Sequence, residues 1–236
     1  MAATLCRIFK DYTKNLVFLH GFLGCKLDWE PYIKYFGGIA IDLPGHGDAP
    51  FYDLSKILPQ KAHLVGYSMG GRIALEWLYR YPNRFPSATL LSTNLGLETE
   101  EEKQNRIHQE EMWIESIHKD GINHFIQTWY QNPLFEGAPI PAYRYQQNPD
   151  LLIQAIRKFS LAKQQNFWNS LPKSTTFLYG EQDRAYRKTY ERLCTMGRDA
   201  HLIPKSSHAI HLQNIPACIE FIERSLHVNN NPVAHS

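Results

Sequence analysis

Short apolar runs rich in β-branched and aromatic residues recur along the chain at 16–21 (LVFLHG), 38–43 (GIAIDL), 63–68 (HLVGYS), 87–93 (SATLLST), 175–180 (TTFLYG) and 200–204 (AHLIP). Runs this apolar predict strands covered on both faces, the pattern of a mostly parallel sheet. Between them, LDWEPYIKYF at 27–36 and GGRIALEWLYRYP at 70–82 place apolar residues at helical spacing, and Pro82 ends the second. The last helix is PACIEFIERSLH at 216–227, with Pro216 in its first turn, where a missing N–H is harmless. Strands alternating with helices predict an α/β fold, a mostly parallel sheet flanked by helices.

The rhythm stops once. From 95 to 170 the text turns charged and helix-favouring (ETEEEKQNRIHQEEMWIESIHKDGINHFIQTWYQ, then NPDLLIQAIRKFSLAKQQNFW). About 75 residues cannot be one loop inside a compact domain. The expected organisation is an α/β core formed by 1–94 and 171–228, a helical cap at 95–170 roofing the sheet's C-terminal edge, and a polar, flexible tail at 229–236. The aromatics Trp113, Phe125, Trp129, Tyr130 and Phe135 give that cap material to pack. No internal repeat or low-complexity tract interrupts the chain.

Composition narrows the options. The 236 residues are 43% hydrophobic, enough for a buried core, and 25 basic against 23 acidic residues leave a formal charge of +2. No global field therefore points to nucleic acid or to a membrane surface, and any preference for anions must be local. Cys6, Cys25, Cys194 and Cys218 lie far apart without a C-x-x-C pair, which predicts free thiols in a reducing compartment. Arg7, Lys10, Asp11 and Lys14 interrupt the first residues where a signal peptide needs an apolar stretch, and no run reaches the roughly 18 apolar residues of a spanning helix. A cytoplasmic protein, monomeric or weakly homo-oligomeric, is expected.

Chemistry concentrates at 64–75, LVGYSMGGRIAL. Here G-x-S-x-G (Gly66, Ser68, Gly70) follows a predicted strand and opens a predicted helix, the context a nucleophile elbow requires. Glycines allow a turn too tight for a Cβ, leaving the Ser68 hydroxyl at its apex. The Met69 N–H then sits at a helix N-terminus suited to an anion, and HGFLG at 20–24 offers a second donor, the Phe22 N–H. His20 would brace that loop. A serine hydroxyl needs a base and a carboxylate to orient the base. Asp183, in FLYGEQD at the end of a predicted strand, and His208, 25 residues on in KSSHAIH, follow Ser68 in the order this motif expects. Glu181 and His211 are neighbouring alternatives for the two roles. No histidine pair has metal-ligand spacing, so no metal is implied.

LVFLHGFLG, IDLPGHG and GYSMGGRIAL together resemble the α/β-hydrolase superfamily outside the insertion. HGFLGCKLDWEP, GYSMGGR, RIHQEEMW, WYQNPLF and FLYGEQD are similar to the 2-succinyl-6-hydroxy-2,4-cyclohexadiene-1-carboxylate synthases of menaquinone biosynthesis. That resemblance implies an α/β-hydrolase fold and a cofactor-free lyase that removes pyruvate from a small polycarboxylate, 2-succinyl-5-enolpyruvyl-6-hydroxy-3-cyclohexene-1-carboxylate. The triad would abstract a proton, with no acyl-enzyme. Arg72, Arg106 and Arg144 stand at positions matching arginines of that family, and a substrate with several carboxylates suits arginine's planar fork. Glu110 lies one turn after Arg106, so an ion pair competes with a ligand contact there. Tyr67 and Trp129 are further substrate-site candidates, although Trp129 fits packing equally well. The chain departs from the pattern in the short stretch 48–62, which predicts an abbreviated helix, and in Ser207, where a glycine commonly precedes the histidine. A serine esterase, thioesterase or C–C hydrolase is the main alternative, and a non-catalytic hydrolase-fold binding module a second.

Overall fold

All six apolar runs form strands in the computed structural model, which describes residues 15–230. They are β1 Leu16–Leu19, β2 Ile39–Ile41, β3 His63–Tyr67, β4 Ser87–Leu91, β5 Thr175–Gly180 and β6 Ala200–Ile203. Every neighbouring pair is parallel, in the order β2-β1-β3-β4-β5-β6. β1, β3, β4 and β5 are buried along their whole length, while β2 at the edge is partly exposed. Burial on both faces explains why the inner runs read as continuous apolar text rather than as alternation.

Side chains alternate between two core layers, as a pleated strand requires. Val17 and Leu19 join a layer with Leu64, Leu75, Leu78, Phe85 and Leu90 under α3, Met69–Arg80. Leu16 and Phe18 point the other way and pack with Trp29, Tyr32, Phe36, Cys218 and Ile222 from α1, Glu30–Phe36, its preceding 3-10 turn and α9, Ile215–Asn230. The stretch 48–62 holds only α2, Leu54–Ile57, a single turn whose N-cap Asp53 accepts from the Ser55 N–H at 2.9 Å. The abbreviated helix expected there is thus observed. α7, Arg187–Thr195, and the short α8, Ile210–Gln213, complete the layers.

Between β4 and β5 the ordered elements are helical: α4 Glu100–Asp120, α5 Ile122–Tyr130, α6 Pro149–Lys158 and the three short 3-10 turns Pro133–Phe135, Ala142–Tyr145 and Leu161–Lys163. α4 starts at a reciprocal cap, with Thr99 Oγ1 accepting from the Glu102 N–H and the Glu102 carboxylate accepting from the Thr99 N–H. Ile114, Ile117, Phe125, Ile126, Leu152, Ile153 and Ile156 of these helices close around one residue of the core loop after β1, Leu23. The helical segment therefore has a hydrophobic core of its own, anchored on the sheet by that leucine.

The order of strand addition reverses around β1: the connection to β2 runs to one side and the connection through α2 to β3 runs to the other. A parallel sheet opens a crevice at such a switch point, beyond the strands' C-terminal ends. The loop carrying Phe22 and the turn carrying Ser68 both leave the sheet there. α9 continues through Asn230, beyond 228 where the core was expected to end; residues 231–236 of the expected tail and Cys6 lie outside the described residues. Among the described residues no helix is long and apolar enough to cross a membrane.

Candidate active site

The turn between β3 and α3 holds Ser68 at φ 50°, ψ −109°, a left-handed conformation costly to a residue with a side chain. Two ladder-like hydrogen bonds clamp it: the Ser68 N–H donates to the Leu91 carbonyl at 2.8 Å, and the Ser68 carbonyl accepts from the Arg72 N–H at 3.0 Å. The glycines are demanded by proximity. A Cβ on Gly66 would lie 2.6 Å from the Gly70 carbonyl oxygen, and one on Gly70 would lie 2.2 Å from that of Leu19. Gly71, outside the motif, is equally constrained, with Thr93 Oγ1 only 1.9 Å from where its Cβ would be.

Three residues distant in sequence meet at this apex. His208 Nε2 lies 3.2 Å from Ser68 Oγ, and His208 Nδ1 lies 3.0 Å from Asp183 Oδ2. The other Asp183 oxygen accepts from the Tyr186 N–H at 3.1 Å, which orients the carboxylate. His208 is fixed by its backbone, whose N–H donates to Leu134 O at 3.1 Å and whose carbonyl accepts from Ser92 Oγ at 2.7 Å. Its ring packs beside Tyr186, Tyr67 and Phe135 at centroid distances of 4.9, 5.5 and 5.6 Å. Glycine before the histidine is not required, because Ser207 is held by its own bonds, N–H and Oγ both donating to Gln213 Oε1 at 2.9 and 3.0 Å.

The two alternatives point elsewhere. Glu181 Oε2 accepts from the Lys205 N–H at 3.1 Å. His211 is fully buried between Tyr67 and Trp29, with Nε2 3.7 Å from Asp28 Oδ2, and burial lowers its pKa.

The loop after β1 completes the floor. Its residues 21–24 form a turn closed by the Gly24 N–H donating to Gly21 O at 3.0 Å, with Leu23 at φ 61°. His20 braces it as expected: Nε2 accepts from the Leu43 N–H at 2.8 Å, so Nδ1 carries the proton and donates to Gly21 O at 2.8 Å. Burial holds His20 neutral, its pKa lowered to about 4. Phe22 and Met69 both line the cleft beside Ser68. Met69 is the first residue of α3, so its N–H has no carbonyl partner within the helix.

The five candidate substrate residues divide. Arg72, Arg106 and Trp129 line the cleft with Ser68 and His208. Arg72 donates from Nη2 to Phe159 O at 2.8 Å and from Nη1 to Gln164 Oε1 at 3.3 Å, both neutral acceptors. Burial, and then the neighbouring Arg106 cation, lower its pKa to about 10. Arg106 forms the ion pair, Nε bonding Glu110 Oε1 at 2.6 Å; its guanidinium lies 4.6 Å from the Trp113 ring centroid, and the residue lines the cleft. Trp129 likewise both lines the cleft and packs, against Phe22 at 5.0 Å and Trp113 at 4.8 Å.

Arg144 and Tyr67 are placed behind the wall. Tyr67 is buried against the His211 ring, 3.8 Å between centroids, and Gly21 packs on its face. Arg144 is 1% exposed and ion-paired to Asp28 at 2.7 Å, because a guanidinium taken this far from water must find a carboxylate. Sequence reading missed Glu110, Trp113, Asn94 and Tyr186 in the wall. Glu110 carried a signal, its helical spacing from Arg106; Asn94 and Tyr186 reach the cleft only through folding. Among the described residues no group of three potential ligands could hold a metal ion.

Residues 16–220 match the model of the alpha/beta hydrolase family. The chain belongs to that family. Within it, the chain is 32% identical over 230 residues to a Haemophilus influenzae protein provisionally named 2-succinyl-6-hydroxy-2,4-cyclohexadiene-1-carboxylate synthase, covering 85% of this chain and 92% of the relative. A protein of the same name from Enterobacter sp. strain 638 is 29% identical, covering 89% and 91%. Among solved structures, MenH from S. aureus superposes with a TM-score of 0.82 at 25% identity, over 94% of this chain and 96% of that one.

Proposed function

We propose that this chain eliminates pyruvate from 2-succinyl-5-enolpyruvyl-6-hydroxy-3-cyclohexene-1-carboxylate to give 2-succinyl-6-hydroxy-2,4-cyclohexadiene-1-carboxylate. Ser68 Oγ, activated by His208, removes the proton alpha to the succinyl ketone, and Asp183 holds the imidazole and stabilises its charged form. Negative charge moves to the ketone oxygen, received by the N–H groups of Phe22 and Met69. As the ketone re-forms, electrons pass through the ring alkene and break the bond from carbon to the enolpyruvyl oxygen. Pyruvate leaves as its enolate and takes up a proton. Nothing is transferred to the serine, so water need not enter as a nucleophile.

The observation that carries this reading is Arg72. A guanidinium one helical turn from Ser68, largely withdrawn from water and bonded to neutral acceptors, is an unmet demand for an anion at the reacting end of the cleft. Arg106 adds a second cation, tempered by Glu110. An apolar ester has no use for either. The names of the relatives agree in substrate class.

The test supplies the enolpyruvyl substrate and couples released pyruvate to NADH oxidation by lactate dehydrogenase. Wild type should release pyruvate and Ser68→Ala should not. Equal rates would remove the role given to Ser68. A stoichiometric burst of p-nitrophenol from an acyl ester, without pyruvate release, would instead establish a serine hydrolase.

A further inference from the structure

Behind the cleft lies a charged cluster that the proposed reaction does not use. Asp28, from the 3-10 turn before α1, is 2% exposed, and Arg144, from the turn Ala142–Tyr145 of the helical segment, is 1% exposed. They pair at 2.7 Å, and the Tyr143 hydroxyl donates to the same Asp28 oxygen at 2.8 Å. Burying such a pair gives little net stability, since desolvation offsets the attraction. Its geometry has another consequence.

Arg144 Nη1 donates to the Leu23 carbonyl at 2.7 Å, and Gln147 Nε2 donates to the same oxygen at 3.2 Å. Leu23 is the residue at φ 61° in the turn that presents Phe22 to Ser68. A leucine persists in that conformation only where its surroundings hold it there. Its side chain is locked into the core of the helical segment, and its carbonyl is locked by Arg144. Asp28 in turn fixes the direction of the guanidinium.

We infer that Arg144, oriented by Asp28, is a positioning residue that holds the turn 21–24 so that the Phe22 N–H faces the reacting oxygen. This rests on the proposed role of Phe22 and explains why an arginine expected to touch substrate lies behind the wall instead. The helical segment therefore does more than roof the cleft: it supplies the bond that sets one of the two oxyanion donors.

Arg144→Met alone strands the Asp28 carboxylate and can fail to fold, so the informative protein is Asp28→Asn with Arg144→Met, which removes both charges and keeps an acceptor for Tyr143. Its melting temperature should stay within a few degrees of wild type, whereas kcat for pyruvate release should fall about a hundredfold with KM nearly unchanged, the signature of a misplaced donor. Amide hydrogen exchange over residues 20–24 should accelerate, with β5 unaltered. Restored stability together with wild-type kcat, or unchanged exchange over 20–24, would overturn the inference. If wild type released no pyruvate while exchange over 20–24 still accelerated in the double variant, the reaction assignment would fall and the positioning role would stand.

Discussion

Replacing Arg72 by methionine should move stability and turnover in opposite directions. Folding lowers the Arg72 pKa from the ordinary arginine value to about 10, through burial first and the Arg106 cation second. A base whose pKa is lowered by folding penalises the folded state at every pH where it is charged in both states. The penalty is full below about pH 10 and fades as pH rises above it towards the ordinary arginine value. At neutral pH it amounts to about 3 kcal/mol, by the conversion of one pKa unit to about 1.4 kcal/mol. Methionine fills much of the same volume but abandons two hydrogen bonds, to Phe159 O and Gln164 Oε1, each contributing about 1 kcal/mol. The balance is a gain of about 1 kcal/mol, or about 2–4 °C in Tm for a chain of this size. Turnover should suffer heavily. Losing a buried partner of a substrate carboxylate costs about 2–5 kcal/mol, which is about 30- to 4,000-fold in kcat/KM. Most of that should appear in KM, because the carboxylate is held equally in the ground and transition states. Differential scanning calorimetry and the coupled pyruvate assay read the two effects separately. A Tm lowered by several degrees with KM unchanged would refute the reasoning, since it would make Arg72 a structural cation.

Ser68→Ala should lower kcat by about 10⁴-fold or more in the coupled assay while leaving Tm within a few degrees, because among the described residues the hydroxyl's one side-chain partner is His208. Gly70→Ala should abolish soluble folded protein, as its Cβ meets backbone at 2.2 Å; Gly71→Ala should be partly rescued by Thr93→Ala, because the nearest obstacle there is the Thr93 hydroxyl. Circular dichroism of the purified variants separates the two cases. Folding stability in urea should decline as pH falls from 7 towards 4. His20 and His63 are buried with pKa lowered to about 4 and about 3, and burial also lowers His46 and His211, so the unfolded chain binds more protons throughout that window. Each such histidine contributes a slope of about 1.4 kcal/mol per pH unit below 6.5, and a flat profile between pH 7 and 5 would contradict their burial as neutral rings.

Local text carried the fold a long way. The six strands, the elbow, the shortened α2 and the long helical interval were legible because hydrophobic period, glycine placement and chain length are properties of neighbouring residues. The order Ser68, Asp183, His208 was legible for a related reason: each terminates or follows a strand, and parallel strands deliver their C-terminal ends to one edge of the sheet. The placement of the candidate substrate residues was less legible. Arg72 sits in the elbow helix, so its direction follows from the turn itself. Arg144 stands in a segment with little regular period, and nothing in its neighbourhood revealed that Asp28, 116 positions earlier, would claim it.

Periodicity, glycines and strand ends thus determined by themselves an α/β sheet with a sharp serine-bearing turn at its edge, because these depend on contacts within a few residues or on a shared strand direction. Which cations face the cleft, which serve the loop behind it, and which of two histidines meets Ser68 were decided only in three dimensions. A buried charge is settled by whichever opposite charge or carbonyl the fold brings within about 3 Å, and that distance is not a property of sequence separation.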